Sequence, residues 1–206
     1  MTRKIGVGLV GFGRIAEEVH LPSLLRHAGF RLAVVCDTTE TRRAKAAALT
    51  NARTVADLDS LLGDEGVDLV VIGTPSQHHH EAAMAAIAAG KDVVVEKPMA
   101  LTYEHAREMV EAAKEAGVLL TVFQNRRWDR DFLAVRQAIS EGLLGTVAIV
   151  ESRVFLFGSV AGYSVPEFHP CWRLERRYGG GALYDWAPHL FDQILQLFPG
   201  AGRCTY

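Results

Sequence analysis

Ile5-Gly6-Val7-Gly8-Leu9-Val10-Gly11-Phe12-Gly13-Arg14-Ile15-Ala16 is an apolar strand that runs directly into G-x-G-x-x-A. Val7, Leu9 and Val10 supply the strand. Gly11 permits a tight turn, Gly13 lets a diphosphate approach the backbone, and Ala16 is small enough for a new helix to pack on the sheet. The first N–H groups of that helix have no acceptor within it and carry a partial positive charge, so they suit an anion. The motif alone is weak. It gains weight from the next apolar run, Arg31-Leu32-Ala33-Val34-Val35-Cys36, which ends in Asp37. An acidic residue about 20 positions beyond the glycines is where a dinucleotide ribose would be held.

The pattern continues outward from there. Apolar runs at 5–10, 31–36, 68–73, 92–96 and 118–123 alternate with helical periodicity near 14–28, 40–49, 56–62, 77–89 and 102–116. Gly29, Gly90 and Gly117 follow helical segments and suit the position just past a helix end. Strands alternating with helices predict a parallel sheet covered on both faces. The unbroken runs Val70-Val71-Ile72 and Val93-Val94-Val95 fit strands buried on both sides. The fold expected for residues 1–124 is therefore α/β with a doubly wound parallel sheet.

After Gln124 the pattern changes. Asp129 to Glu141 reads as a helix closed by Gly142. Thr146 to Phe157 reads as a long strand, 158–180 as a loop rich in glycine, proline and aromatics, and Gly181 to Phe198 as a second helix. A further strand is expected near Cys204. One strand does not make a sheet. Residues 125–206 thus read as the opening of a C-terminal α/β domain, with the remainder missing or supplied by a partner. The exposed edge of such a strand predicts association between copies.

Of 206 residues, 49% are hydrophobic and 22% charged, with a net charge of −2. That balance argues for a globular chain and against nucleic acid or an anionic membrane as partner. No apolar run approaches the roughly 18 residues of a membrane helix. Met1-Thr2-Arg3-Lys4 leads straight into a strand, unlike a signal peptide. Cys36, Cys171 and Cys204 are widely spaced and read as reduced thiols of a cytoplasmic protein.

Two constellations carry chemistry. Glu96-Lys97-Pro98 follows the 92–96 strand, whose carboxyl end faces the ligand crevice of such a sheet. An ammonium there binds a substrate hydroxyl and stabilises a developing alkoxide; the alternative is a surface turn. Pro98 is a candidate for a cis bond. Gly179-Gly180-Gly181 precedes Asp185 and His189, four apart and so on one helical face. A histidine beside a carboxylate is a proton acceptor near neutral pH; the alternative is an ordinary polar face, and Pro188 is set to kink or delay the helix. His78-His79-His80 suggests a metal, but consecutive helical side chains diverge, and a role beside the cofactor is favoured.

Together, Gly11-Phe12-Gly13-Arg14-Ile15-Ala16, Thr74-Pro75, Glu96-Lys97-Pro98 and the glycine run with Asp185 and His189 resemble, in order, the Gfo/Idh/MocA oxidoreductases. Gln124-Asn125-Arg126-Arg127-Trp128-Asp129 and Leu183-Tyr184-Asp185 are most similar to the scyllo-inositol dehydrogenase branch. The resemblance implies an N-terminal Rossmann domain and hydride transfer between a sugar or polyol and NAD. It implies Lys97, Asp185 and His189 as the catalytic set, His189 moving the proton while Lys97 and Asp185 orient substrate. It implies a cofactor held by Gly11, Phe12, Gly13, Arg14, Ile15, Asp37, Thr74, Pro75, His79, Glu96 and Lys97, with Arg126, Trp172 and Arg173 toward the substrate and no metal. Two departures stand out. Asp37 disfavours a 2′-phosphate and hence NADP, although Arg42 and Arg43 leave NADP open. The C-terminal part is short. A catalytically inactive dinucleotide-binding protein, or a fragment of a full-length dehydrogenase, is the rival reading.

Overall fold

The computed structural model describes residues 3–155, 167, 169 and 171–199. Among the described residues, six parallel strands form one sheet: β1 Ile5–Val10, β2 Phe30–Cys36, β3 Arg53–Val55, β4 Leu69–Ile72, β5 Asp92–Val95 and β6 Leu120–Val122. Their order is β3-β2-β1-β4-β5-β6. Pairing is parallel throughout, as in Val10 opposite Cys36 on one side and Ile72 on the other. The order reverses between β1 and β4, which opens a crevice at the carboxyl ends of those two strands.

The apolar runs explain the two-sided burial. Alternate residues of one strand enter opposite cores. Val34, Val70, Ile72, Val93 and Val95 pack on one face with Ala83, Ala86 and Met109. Val7, Leu9, Val35 and Val71 pack on the other with Phe12, Ala16 and Leu21. Truncating one of these, such as Leu9→Ala, is expected to cost about 2–5 kcal/mol.

The helices follow the crossovers: α1 Leu21–Arg26, α2 Glu40–Leu49, α3 Leu58–Leu62, α4 His79–Ala88 and α5 Tyr103–Ala116. Thr102 caps α5 by accepting from the His105 N–H, and Gly117 ends it at φ 68°. The helix after β1 begins with the Glu17 N–H donating to the Gly13 carbonyl, and Ala16–His20 forms a π-helical turn before α1. In the C-terminal part, α6 Arg130–Ser140 and α7 Ala182–Leu197 form. No helix among the described residues is long and apolar enough to cross a membrane.

Three expectations change. Arg53–Val55 is a strand although its sequence announces none; three residues at the sheet edge, only half-buried at best, leave too little pattern to read. Gly29 does not close a helix: α1 ends at Arg26 with an extended His27 as cap, and Gly29 has no positive φ. The strand expected over 146–157 is absent from Thr146 to Phe155, where no ladder forms among the described residues. Its β-branched and aromatic side chains have the right propensity, but a strand exists only through a neighbour. Here Ile149 and Phe155 are 86% and 83% exposed. Residues 156–157 and the strand expected near Cys204 lie outside the described residues.

Candidate active site

The carboxyl ends of β1, β2, β4 and β5 open into a cavity of about 510 Å³. At its base the chain leaves β1 through Gly11 at φ 84°. A Cβ at Gly11 would stand 2.9 Å from the Thr74 backbone nitrogen, so only glycine fits the turn. A Cβ at Gly13 would meet nothing within 4 Å, leaving open space over the start of the helix. Arg14 and Ile15 line the cavity from that helical turn. Arg14 Nε and Thr74 Oγ1 are buried there without a hydrogen-bond partner. An open cradle, free helical N–H groups and unpartnered donors fit a dinucleotide diphosphate.

Asp37 faces the other side of the turn. One carboxylate oxygen accepts from the Phe12 N–H at 2.7 Å and the other from the Thr39 N–H at 2.8 Å. Both oxygens keep a further lone pair for ribose hydroxyls. The two neighbouring arginines are committed to the protein. Arg42 is buried, donates from Nε to the Phe12 carbonyl at 2.6 Å and pairs with Glu17 at 3.1 Å. Arg43 donates to the Asp37 and Thr38 carbonyls at 2.7 and 2.9 Å. Cys36 lines the same end; burial pushes its thiol up to about 11. Phe12 contributes its backbone, while its ring lies wholly in the core.

Thr74, Pro75 and His79 follow β4 and line the cavity. The three consecutive histidines go three ways. His78 faces the cavity. His79 is buried with Nδ1 2.8 Å from the Pro98 carbonyl and Nε2 2.9 Å from the Thr74 carbonyl. Its desolvation holds it below the usual imidazole range. His80 pairs with Glu108 at 2.8 Å and stacks on His105 at 4.0 Å. Among the described residues, no group of three or more metal-ligating side chains stands close enough to hold an ion.

The far wall joins β5 to α7. The Lys97–Pro98 bond is cis. Lys97 Nζ donates to the Asp185 carboxylate at 2.8 Å and to the Asp185 carbonyl at 2.6 Å, across 88 positions of sequence. Arg173 donates to the same carboxylate at 2.7 Å. The glycines make this approach: Gly180 lies where a Cβ would stand 2.5 Å from the Glu175 nitrogen. Pro188 does not delay the helix; it sits inside α7, removing the N–H that would take the Tyr184 carbonyl.

His189 is 6% exposed and lines the cavity. Burial first, then the Lys97 and Arg126 charges, pushes its imidazole down to about 4. It is therefore neutral at physiological pH. The carboxylate expected beside it is not its partner: Asp185 turns to Lys97 and Arg173, and His189 Nδ1 is buried with no hydrogen bond. Arg126 and Trp172 also line the cavity, Arg126 lying 4.5 Å over the Trp186 ring and Arg173 4.6 Å over the Trp172 ring. Burial lowers the Arg173 pKa.

One residue escaped sequence reading. His20, in the π-helical turn, is buried and holds Glu96 at 2.8 Å. Its signal is its place four residues beyond Ala16, which points it toward the sheet as well.

Comparison with known proteins identifies the family. Residues 5–124 match the family model described as the oxidoreductase family, NAD-binding Rossmann fold, and residues 132–203 match its GFO/IDH/MocA C-terminal domain. The chain belongs to the Gfo/Idh/MocA family. Its Rossmann domain is the family's NAD-binding domain. The chain is 40% identical over 96% of its length to the Uncharacterized oxidoreductase YdgJ of Escherichia coli, covering 55% of that protein. It is 38% identical over 94% of its length to the scyllo-inositol 2-dehydrogenase (NADP(+)) IolW of Bacillus subtilis, covering 52% of it. The crystal structure of the WlbA dehydrogenase from Bordetella pertussis, in complex with NADH and UDP-GlcNAcA, superposes with a TM-score of 0.66 at 38% identity. That match spans 69% of this chain and 44% of the other. The chain thus spans about half the length of the curated relatives it matches.

Proposed function

We propose that the chain carries the catalytic half of an NAD-dependent sugar or polyol dehydrogenase. The observation that carries this reading is the convergence of Lys97, Asp185 and a neutral His189 on the cavity that holds the glycine turn. When bound, the dinucleotide supplies the hydride acceptor. The Gly11–Ile15 turn and Asp37 would fix its diphosphate and ribose. Lys97, steadied by Asp185, would donate to the substrate hydroxyl and stabilise its developing negative charge. His189, unprotonated, would take the hydroxyl proton. Arg126, Trp172 and Arg173 would line the substrate side. The sugar or polyol class rests on the names of relatives such as IolW and WlbA. The exposed apolar residues Leu143, Leu144, Ile149 and Phe155 support association between copies.

The test is NADH production over a panel of inositols, aldoses and uronic acids. Wild type should turn over at least one class. His189→Ala should lower kcat by about 10²–10⁴ while NADH affinity holds. Full activity in His189→Ala removes the catalytic assignment. A chain that binds NADH but is inert on every substrate favours a non-catalytic dinucleotide-binding protein. NADH should also bind more tightly than NADPH, and Asp37→Ala should narrow that gap in a fluorescence titration; an unchanged gap removes Asp37 from cofactor choice.

A further inference from the structure

Glu96 and Lys97 are neighbours in sequence and both line the cavity, but they take different partners. Lys97 reaches up into the cavity to Asp185. Glu96 is 7% exposed, with one oxygen 2.8 Å from His20 Nε2 and the other accepting the Lys97 backbone N–H at 3.2 Å. His20 is itself 5% exposed, its ring centroid 4.5 Å from that of Phe123. It comes from the π-helical turn Ala16–His20, which directly follows the glycine turn. Such turns carry one residue more than an α-helical turn and occur often at functional sites. This one places Ala16 against the sheet and His20 under the end of β5. Glu96 also faces His189, His79 and Arg173 through its charge, and its field on His189 opposes that of Lys97.

We propose that His20 is a positioning residue for Lys97, acting through Glu96. With Glu96 ionised, the Nε2–H of His20 donates to one carboxylate oxygen. The other oxygen then stays aimed at the Lys97 N–H. The turn that directs the Lys97 side chain at Asp185 is braced from below. A buried carboxylate that loses its donor does not stay where it is: it reorients toward water or a cation. The Lys97 backbone then loses its acceptor, and the ammonium spends time away from Asp185. The same pair links the two halves of the site. It ties the segment that begins the dinucleotide cradle to the strand end that presents the amine. The catalytic meaning of this brace rests on the dehydrogenase reading; its geometry does not.

The experiment uses the 206-residue chain and three variants, His20→Leu, His20→Asn and His20→Gln. Glutamine reaches Glu96 with a donor; asparagine is polar but too short; leucine has no donor. Lys97 modification by a small amine-reactive reagent is followed by mass spectrometry, with Lys114 on α5 as internal reference. His20→Leu and His20→Asn should label Lys97 faster by about tenfold, the ratio equivalent to one charge-assisted hydrogen bond. Lys114 should keep its wild-type rate, and His20→Gln should return Lys97 to its wild-type rate. An unchanged or slower Lys97 rate in a folded leucine or asparagine variant overturns the proposal. So does a glutamine variant that labels like leucine. If leucine does not fold, the asparagine–glutamine pair decides. Where the wild type is active, kcat should fall about tenfold in the asparagine variant with the NADH dissociation constant unchanged. A wild type inert on all substrates sinks the dehydrogenase reading, and the labelling still decides the role of His20.

Discussion

The region from Ile5 to Gln124 and the region from Asn125 to Pro199 are held together by different means. In the first, each strand is satisfied by its neighbours, and most of the side chains buried beyond nine-tenths are apolar. In the second, Phe132 and His189 are the described residues buried to that degree. Its helix α7 is instead fastened by charge: Lys97 and Arg173 on Asp185, Arg127 on Asp192 through two bonds at 2.5 and 2.7 Å, and Gln193 on the Arg126 carbonyl at 2.8 Å. The difference teaches that the glycine-turn side of the cavity is set by a packed sheet and the α7 side by ion pairs. The first resists small perturbations; the second tracks the state of a few titratable groups.

The comparison breaks most visibly at Gly11. A side chain there meets backbone at 2.9 Å and needs a strained φ. Gly11→Ala should weaken NADH binding by more than about tenfold, since positive φ in a non-glycine residue and backbone displacement together cost on the order of 1–3 kcal/mol. Fluorescence titration reads this directly, and an unchanged affinity would remove the turn from the cofactor site.

A smaller effect should be confined to α7. Asp192→Ala removes a bidentate partner of Arg127, whose pKa that hydrogen bond raises. Arg127 is partly exposed, so the loss should be only about 1 kcal/mol. Hydrogen exchange should quicken across 182–197 and remain unchanged in β1, β4 and β5. Uniform quickening would mean that the two regions unfold as one.

A third difference is a pH dependence. His189 is pushed down to about 4 in the folded chain, below the unfolded value near 6.5. The unfolded chain therefore binds the proton more readily. The stability gained by keeping His189 neutral is fully present above about pH 6.5 and is lost as pH falls toward 4. Melting temperature should fall by a few degrees over that window in wild type, and His189→Gln should flatten the slope. Equal slopes would show that the imidazole is not held neutral.

Much of the first region was legible because its determinants are local. β1 spans Ile5–Val10 and α2 spans Glu40–Leu49, as their runs announce, and Gly117 ends α5 by the conformation that glycine alone adopts cheaply. β3 was illegible because a three-residue edge strand is made by its partner. The 146–155 segment misled for the converse reason: strand propensity is a preference for a paired surface, and none is offered there. In the site, chemistry-bearing residue types could be picked out by spacing, but their partners could not. Asp185 and His189 share a helix face, yet which cation claims the carboxylate depends on how α7 docks. His20 carried no motif; its spacing from Ala16 marks it as facing the sheet, but its partner Glu96 is revealed only by the contact.

His79 stands as a crossbar between two loops, with a carbonyl facing each ring nitrogen. A neutral imidazole has one N–H to give, and burial favours the neutral ring. One carbonyl is then gripped while the other confronts a lone pair. One buried ring thus stands between the Thr74 and Pro98 segments, and its tautomer decides which of the two carbonyls receives a hydrogen.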